Sequence, residues 1–228
     1  MKRTIKLCGK TVSYELQRKK VKNINLRIKA DGSIFVSAHR LVSQSAIDAF
    51  LRDKSDFILQ ALERREKNPA ASYEDGGTVP LLGKDHILRI VSSGRDRAEL
   101  REESITLFLK DKNDASKTLD SLYKRQAELL VPVLCEGLCR KMGRPLPQIR
   151  YRRMKSRWGS CTPLKGAICI NSRLVTATVD CVEFVIAHEL CHFLQPNHSA
   201  DFYAELSKLM PDWKERKKRL SNYGRWLA

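Results

Sequence analysis

The sequence predicts an α+β fold: a β-rich N-terminal part with one helix, then an α/β part that places a histidine-bearing helix near its end. Three observations carry this. Short β-branched and apolar runs separated by turn residues dominate up to about residue 113. Longer stretches with apolar residues at helical spacing dominate after it. Between them lies the polar stretch 111–116, which sets the expected division into a region 1–113 and a domain 114–228.

In order along the chain, strands are expected at 11–16, 23–29 and 33–37. Asp31-Gly32 between the last two forms a hairpin turn. A helix follows from 43 or 45 to 67, because Ile47, Phe50, Leu51, Phe57, Ile58 and Leu62 roughly keep helical spacing. Residues 68–80 contain Pro and Gly-Gly and read as a loop, with strands at 87–91 and 104–109 beyond it. A long helix over 117–142 takes Leu119, Leu122, Leu129, Leu130 and Leu134 as its apolar stripe and stops at Gly143, before Pro145 and Pro147. Strands are expected at 149–151 and 167–171, with turns at Gly159 and 163–166. Helices over 180–194 and 199–210 complete the second part. No internal repeat is visible in the letters.

Composition excludes several classes. With 42% hydrophobic and 30% charged residues the chain is an ordinary globular protein and not a disordered one. No apolar run approaches the ~20 residues of a membrane span, and no apolar run follows the basic N-terminus. The cytoplasm is the expected compartment, with no membrane partner. The seven cysteines are odd in number and include no CxxC, so they read as buried free thiols. The net charge of +17 is unevenly spread. From 137 to 179 there are ten Lys and Arg and no Asp or Glu. That stretch reads as a solvated basic face or as the positive rim of a cleft.

The chemistry concentrates in eleven residues, His188-Glu189-Leu190-Cys191-His192-Phe193-Leu194-Gln195-Pro196-Asn197-His198. On a helix, residues four apart share a face, so His188 and His192 converge on one point. Two imidazoles hold zinc weakly, and a third ligand must come from elsewhere while one position stays open. Pro196 and Asn197 end the helix, which lets His198 return. Glu189, next to the first ligand, can take a proton from an attacking water and pass it to the leaving group. The apolar run Val182, Phe184, Val185, Ile186 and Ala187 buries the helix and makes it rigid. The expected cofactor is Zn2+.

Four stretches extend the pattern: Arg157-Trp158-Gly159-Ser160-Cys161, Ile170-Asn171-Ser172-Arg173-Leu174, the His188–His192 motif, and Asn197-His198-Ser199 with Phe202. In order and spacing they resemble the YgjP-like metallopeptidase-domain family, part of the wider zincin group with SprT-type and WLM-type proteins. The early strands around Asp31-Gly32 resemble that family's N-terminal portion. The resemblance implies a zincin-like catalytic domain over 114–228, with His188, His192 and His198 as metal ligands and Glu189 as general base. The three-histidine spacing also equals that of metzincins, but Gln195 stands where those have Gly, and that branch is rejected.

Further site candidates are Arg157, for a developing negative charge or a phosphate, and Asn171 and Arg173 as substrate-binding residues. The strand 167–171 is expected to offer an edge to an extended peptide. Trp158 is expected in the core. Asn197 or Ser199 caps the last helix, and Glu183 or Asp201 orients a histidine ring. The leading reading is a zinc metallopeptidase acting on a peptide or protein. Because some family members carry an assignment as UTP pyrophosphatases, the resemblance keeps a nucleotide substrate open as the alternative. A third reading is a nucleic-acid-associated protein with a secondary metal site, resting on the basic surface alone.

Overall fold

The computed structural model describes residues 2–28, 32–67 and 73–227. Its contacts divide the chain into two compact units, 1–70 and 71–228.

The first unit begins with strands β1 (Lys2–Leu7) and β2 (Lys10–Arg18), then β3 (Asn25–Ile28) and β4 (Ile34–Ala38). The sheet order is β1-β2-β4-β3, with β2 and β4 parallel and the flanking pairs antiparallel. Asp31 of the expected hairpin turn lies outside the described residues, as do 68–72 of the expected loop. The one helix expected up to residue 67 is two, α1 (Gln44–Asp53) and α2 (Ser55–Lys67), because the chain leaves helical geometry at Lys54, the C-cap of α1. Ile47, Leu51 and Ile58 bury completely with Leu7 and Val36 in one small core.

The second unit opens on a sheet of the same order. Strands β5 (Thr78–Leu81), β6 (Lys84–Ser92), β7 (Arg97–Leu100) and β8 (Ser104–Leu109) lie β5-β6-β8-β7, again with a parallel central pair. Each sheet starts with a two-residue hairpin whose central pair has positive φ: Cys8 at 43° and Gly9 at 81°, Leu82 at 51° and Gly83 at 78°. Those are the dihedral signs of a type I′ turn, whose twist suits the strands it joins. The topology is therefore duplicated although no repeat shows in the letters.

The long helix α3 (Ala115–Lys141) packs its buried row Leu119, Tyr123, Ala127, Val131, Cys135 and Cys139 into the core shared with Leu107, Leu109 and the histidine-bearing helix. Of the leucines expected to form its stripe, Leu119 and Leu122 are buried, but Leu129 is 70% exposed. The division expected at 113 falls inside this unit. Residues 111–116 form a helix start, where the Asp111 side chain accepts from the Asn113 backbone NH, and not a linker.

A three-stranded sheet follows: β9 (Gln148–Arg152), β10 (Gly159–Thr162) and β11 (Ala167–Asn171), ordered β10-β11-β9. Helices α4 (Val179–Cys191), α5 (Ala200–Leu209) and α6 (Trp213–Leu220) follow, and a C-terminal turn, Ser221–Leu227, closes the described residues. The seven cysteines are free, and Cys135, Cys139, Cys181 and Cys191 are buried. Burial pushes the Cys135 thiol up to about 12, so it packs as a small apolar group. Among the described residues no helix is long and apolar enough to cross a membrane.

Candidate metal centre

Helix α4 is built to hold side chains still. Cys181, Val182, Phe184, Val185, Ile186 and Ala187 are all buried, so the helix is wrapped by core before it reaches His188. The helix ends at Cys191, with His192 as its C-cap. The turn closes through Gln195 NH to the Cys191 carbonyl at 2.9 Å. The chain then doubles back through Pro196 and Asn197, and Ser199 starts α5 by accepting the Phe202 NH at 3.3 Å. Ser199, not Asn197, is the cap.

This path brings the three histidines together. One ligand nitrogen from each of His188, His192 and His198 lies within 4.8 Å of the others. The Nε2 atoms of His188 and His198 are 3.0 Å apart. Among the described residues this is the one group of three such side chains that could hold a metal. The buried Phe202 ring backs all three, with centroids 4.9, 4.7 and 4.8 Å from those of His188, His192 and His198.

The donor set fits zinc. His192 Nδ1 lies 3.1 Å from the Gln195 carbonyl, which can only accept, so that nitrogen carries the hydrogen and Nε2 presents its lone pair. Burial first, then the charges of His192, His198 and Lys217, lower His188 to about 4. Burial, His192 and Lys217 lower His198 as well. Neutral imidazoles are what a metal requires, and three of them without a carboxylate suit zinc better than magnesium or calcium. Glu183 and Asp201 are not the partners that orient the rings. Glu183 is paired with Arg216 at 2.5 Å, Asp201 is exposed, and a backbone carbonyl does the orienting at His192.

Glu189 is buried beside this cluster, and burial, opposed by the nearby Arg157 charge, raises its carboxyl to about 7. It lies against the backbone of β10. A Cβ on Gly159 would come within 2.5 Å of Glu189 Oε1 and 2.8 Å of its Cγ. A side chain fits there only if Glu189 moves, so the glycine is a spatial requirement and not a dihedral one. Gly159→Ala is expected to displace Glu189 and lower kcat by about 100-fold, the scale of a 1 Å misplacement. Metal content should be unchanged. Kinetics with parallel metal analysis checks this, and wild-type kcat would show that the contact does not position Glu189.

His188 and Glu189 open into a cleft of about 370 Å³. Its walls are apolar, from Trp158, Phe184, Tyr203, Trp213 and Leu220, and Arg157 and Lys217 stand among them. Sequence reasoning missed Trp213 and Leu220, because α6 was not expected. Lys217 falls in a second basic run, 214–219, broken only by Glu215, which the sequence offers, like the stretch 137–179, as a solvated face or the positive rim of a cleft. Trp158 is half-buried and packs on the core, as expected, while also lining the cleft.

The three substrate-binding candidates separate. Arg157 lines the cleft. Asn171 does not. It is fully buried, its Nδ2 donates to the Met154 and Arg157 carbonyls at 2.7 and 3.0 Å, and its Oδ1 accepts the Arg173 NH. It therefore shapes the loop that carries Arg157. Arg173 is 1% exposed and donates to Asp120 at 2.5 Å, to Ser116 Oγ and to the Trp226 carbonyl, so it is not available to substrate. The strand expected to offer an edge, β11, is central, with β10 on one side and β9 on the other. The edge nearest α4 belongs to β10, which sequence reasoning had taken for a turn.

Comparison with known proteins adds two findings. A family model described as YgjP-like, metallopeptidase domain matches residues 22–223. Among solved structures, the crystal structure of the metallopeptidase zymogen of Pyrococcus abyssi abylysin is similar at 24% identity. The match covers 38% of this chain and 88% of that chain, with a TM-score of 0.36. No curated protein matches the sequence.

Proposed function

The chain belongs to the YgjP-like metallopeptidase-domain family, and on that premise we propose that it is a zinc-dependent peptidase whose metal is held by His188, His192 and His198. The observation that carries this reading is the convergence of three imidazole nitrogens beside one buried carboxylate, Glu189, at a cleft.

Bound there, zinc supplies Lewis acidity toward a scissile carbonyl and makes water a stronger acid. The remaining work belongs to the chain. Glu189 takes a proton from the attacking water and delivers it to the amine nitrogen as the amide C–N bond breaks. Arg157, beside Glu189 at the cleft, faces the charge that develops on the carbonyl oxygen. The apolar walls from Trp158, Phe184 and Trp213 hold water out. Among the described residues the outer edge of β10 pairs with no strand, so an extended peptide can hydrogen-bond along it toward Glu189. A peptide is favoured over a nucleotide by the donor set, since phosphate chemistry usually recruits magnesium through several carboxylates, whereas the converging group is three imidazoles with the single carboxylate of Glu189 beside it.

Purified protein should carry about one zinc per chain, as a three-histidine site implies. His198→Ala should weaken zinc binding by more than the ~10–100-fold typical of losing a group outside the ligand set. Zinc titration of both proteins, with a paired activity screen on unstructured peptides and nucleoside triphosphates, tests the reading. Peptide cleavage that depends on zinc supports it. Triphosphate turnover with no peptide cleavage would replace it with a metal-dependent nucleotide pyrophosphatase.

A further inference from the structure

The face of the β10-β11-β9 sheet turned away from the core carries a second cavity, of about 490 Å³. Its floor follows from register. Ser160, Cys169 and Arg150 are paired in one row and Thr162, Ala167 and Gln148 in the next, so their side chains share one face. Ile149, Tyr151, Ile168 and Ile170 occupy the other face and pack into the core. The outer face is thus a floor of small side chains, Ala167, Cys169, Ser160 and Thr162, with long cations around it. Arg150 and Arg152 rise from β9, Arg153, Lys155 and Arg157 from the loop before β10, and Lys165 from the turn before β11. All six are exposed and no carboxylate lines the cavity. Arg153 is paired with Asp120 at 3.4 Å, and among the described residues none of the other five is in an ion pair.

These five like charges held around a small-residue floor repel one another unless an anion lies between them. We propose that this face is a docking groove for the phosphate backbone of single-stranded nucleic acid. Three of the five cations are Arg, whose planar fork matches phosphate oxygens, and Ser160 and Thr162 add hydroxyl donors. Three strands span only about 10 Å, from two inter-strand spacings. A duplex, whose major groove alone is about 12 Å wide, is too broad to enter. No aromatic side chain lines the cavity, so bases find no stacking platform and binding is independent of sequence. Arg157 also lines the metal cleft, so a bound strand would run up to its rim. The inference does not depend on which bond the cleft hydrolyses.

The test is fluorescence anisotropy on the zinc-loaded chain of 228 residues. The probes are a mixed-sequence single-stranded oligonucleotide, its duplex, and a polyglutamate peptide, each at several salt concentrations. The single strand should bind with a Kd of about 1–100 µM near physiological salt, the range of non-specific contacts. The slope of log K against log salt should be about −3 to −4, from roughly −0.7 for each of five phosphates. R150A/R152A should weaken binding about tenfold or more and make the slope shallower by roughly 1.4. R89A/R101A removes the same charge from exposed positions outside the cavity and should change affinity by less than about twofold, as screened charges predict. Circular dichroism of both variants controls for folding. Equal losses in the two double variants would overturn the proposal, as would no binding at low salt. Tighter binding of polyglutamate or duplex through Arg150 and Arg152 would overturn it in favour of that ligand.

Discussion

Glu189→Gln is expected to keep one zinc per chain while losing about 10²- to 10⁴-fold in kcat, the span of general acid–base catalysis. The two halves of that expectation come from different observations. Metal retention follows from the cluster, whose three converging groups are all imidazoles. The loss follows from what an amide cannot do, since Gln has no basic oxygen to accept a proton from water. Gln has nearly the shape of Glu, and the approach of Gly159 leaves room for that shape and for little else. The variant therefore removes basicity without creating a void. Metal analysis and single-turnover kinetics on a cleaved peptide are the measurements. Loss of zinc would make Glu189 a ligand, and full activity would remove it from the proton path. Gly159→Ala complements this variant, because it leaves the carboxylate in place and moves it.

Much of the centre was legible because its chemistry is local. Helical geometry alone brings His188 and His192 to one side, and Pro196 and Asn197 announce the turn that returns His198. What sequence reading missed depends on tertiary contact or on unusual residue choice. The two hairpins at Cys8-Gly9 and Leu82-Gly83 place non-glycine residues at positive φ, where Asn or Asp would be the recognisable choice. With those turns unread, the duplicated sheet order stayed hidden. In α3 the buried row advances by four, through Leu119, Tyr123, Ala127, Val131, Cys135 and Cys139. A step of four on a 3.6-residue turn drifts by about 40° each time. The row therefore turns around the helix as it passes from the β5–β8 sheet to α4. Choosing by residue type selected Leu129 and passed over Ala127 and two thiols. The polar stretch 111–116 reads as a linker by composition, yet Leu109 before it and Ala115 within it enter the same core.

Arg173→Ala is expected to cost about 3–5 kcal/mol of folding stability, the range for breaking one side of a buried ion pair. Sequence reading took this arginine for a substrate-binding residue, because it lies in a stretch that matches the family and within the acid-free segment 137–179. The structure gives it a different task. The turn 172–176 follows β11 and leads into α4, and Arg173 ties that turn to α3 through Asp120 and Ser116 and to the C-terminal turn through the Trp226 carbonyl. Removing the side chain empties a buried space and leaves the Asp120 carboxylate, whose side chain is 17% exposed, with the more distant Arg153 at 3.4 Å as its one ion-pair partner among the described residues. Arg173→Met/Asp120→Leu removes both charges and keeps apolar volume, so it should recover part of the loss. Urea unfolding of the zinc-loaded proteins measures both variants, and zinc content at low urea should stay at the wild-type value. Destabilisation below about 1 kcal/mol, the level of an exposed pair, together with a KM raised for anionic substrates only, would return Arg173 to the approach. Of the two arginines expected to meet substrate, Arg157 alone lines the cleft, since the Arg173 guanidinium is enclosed between α3 and the turn 221–227.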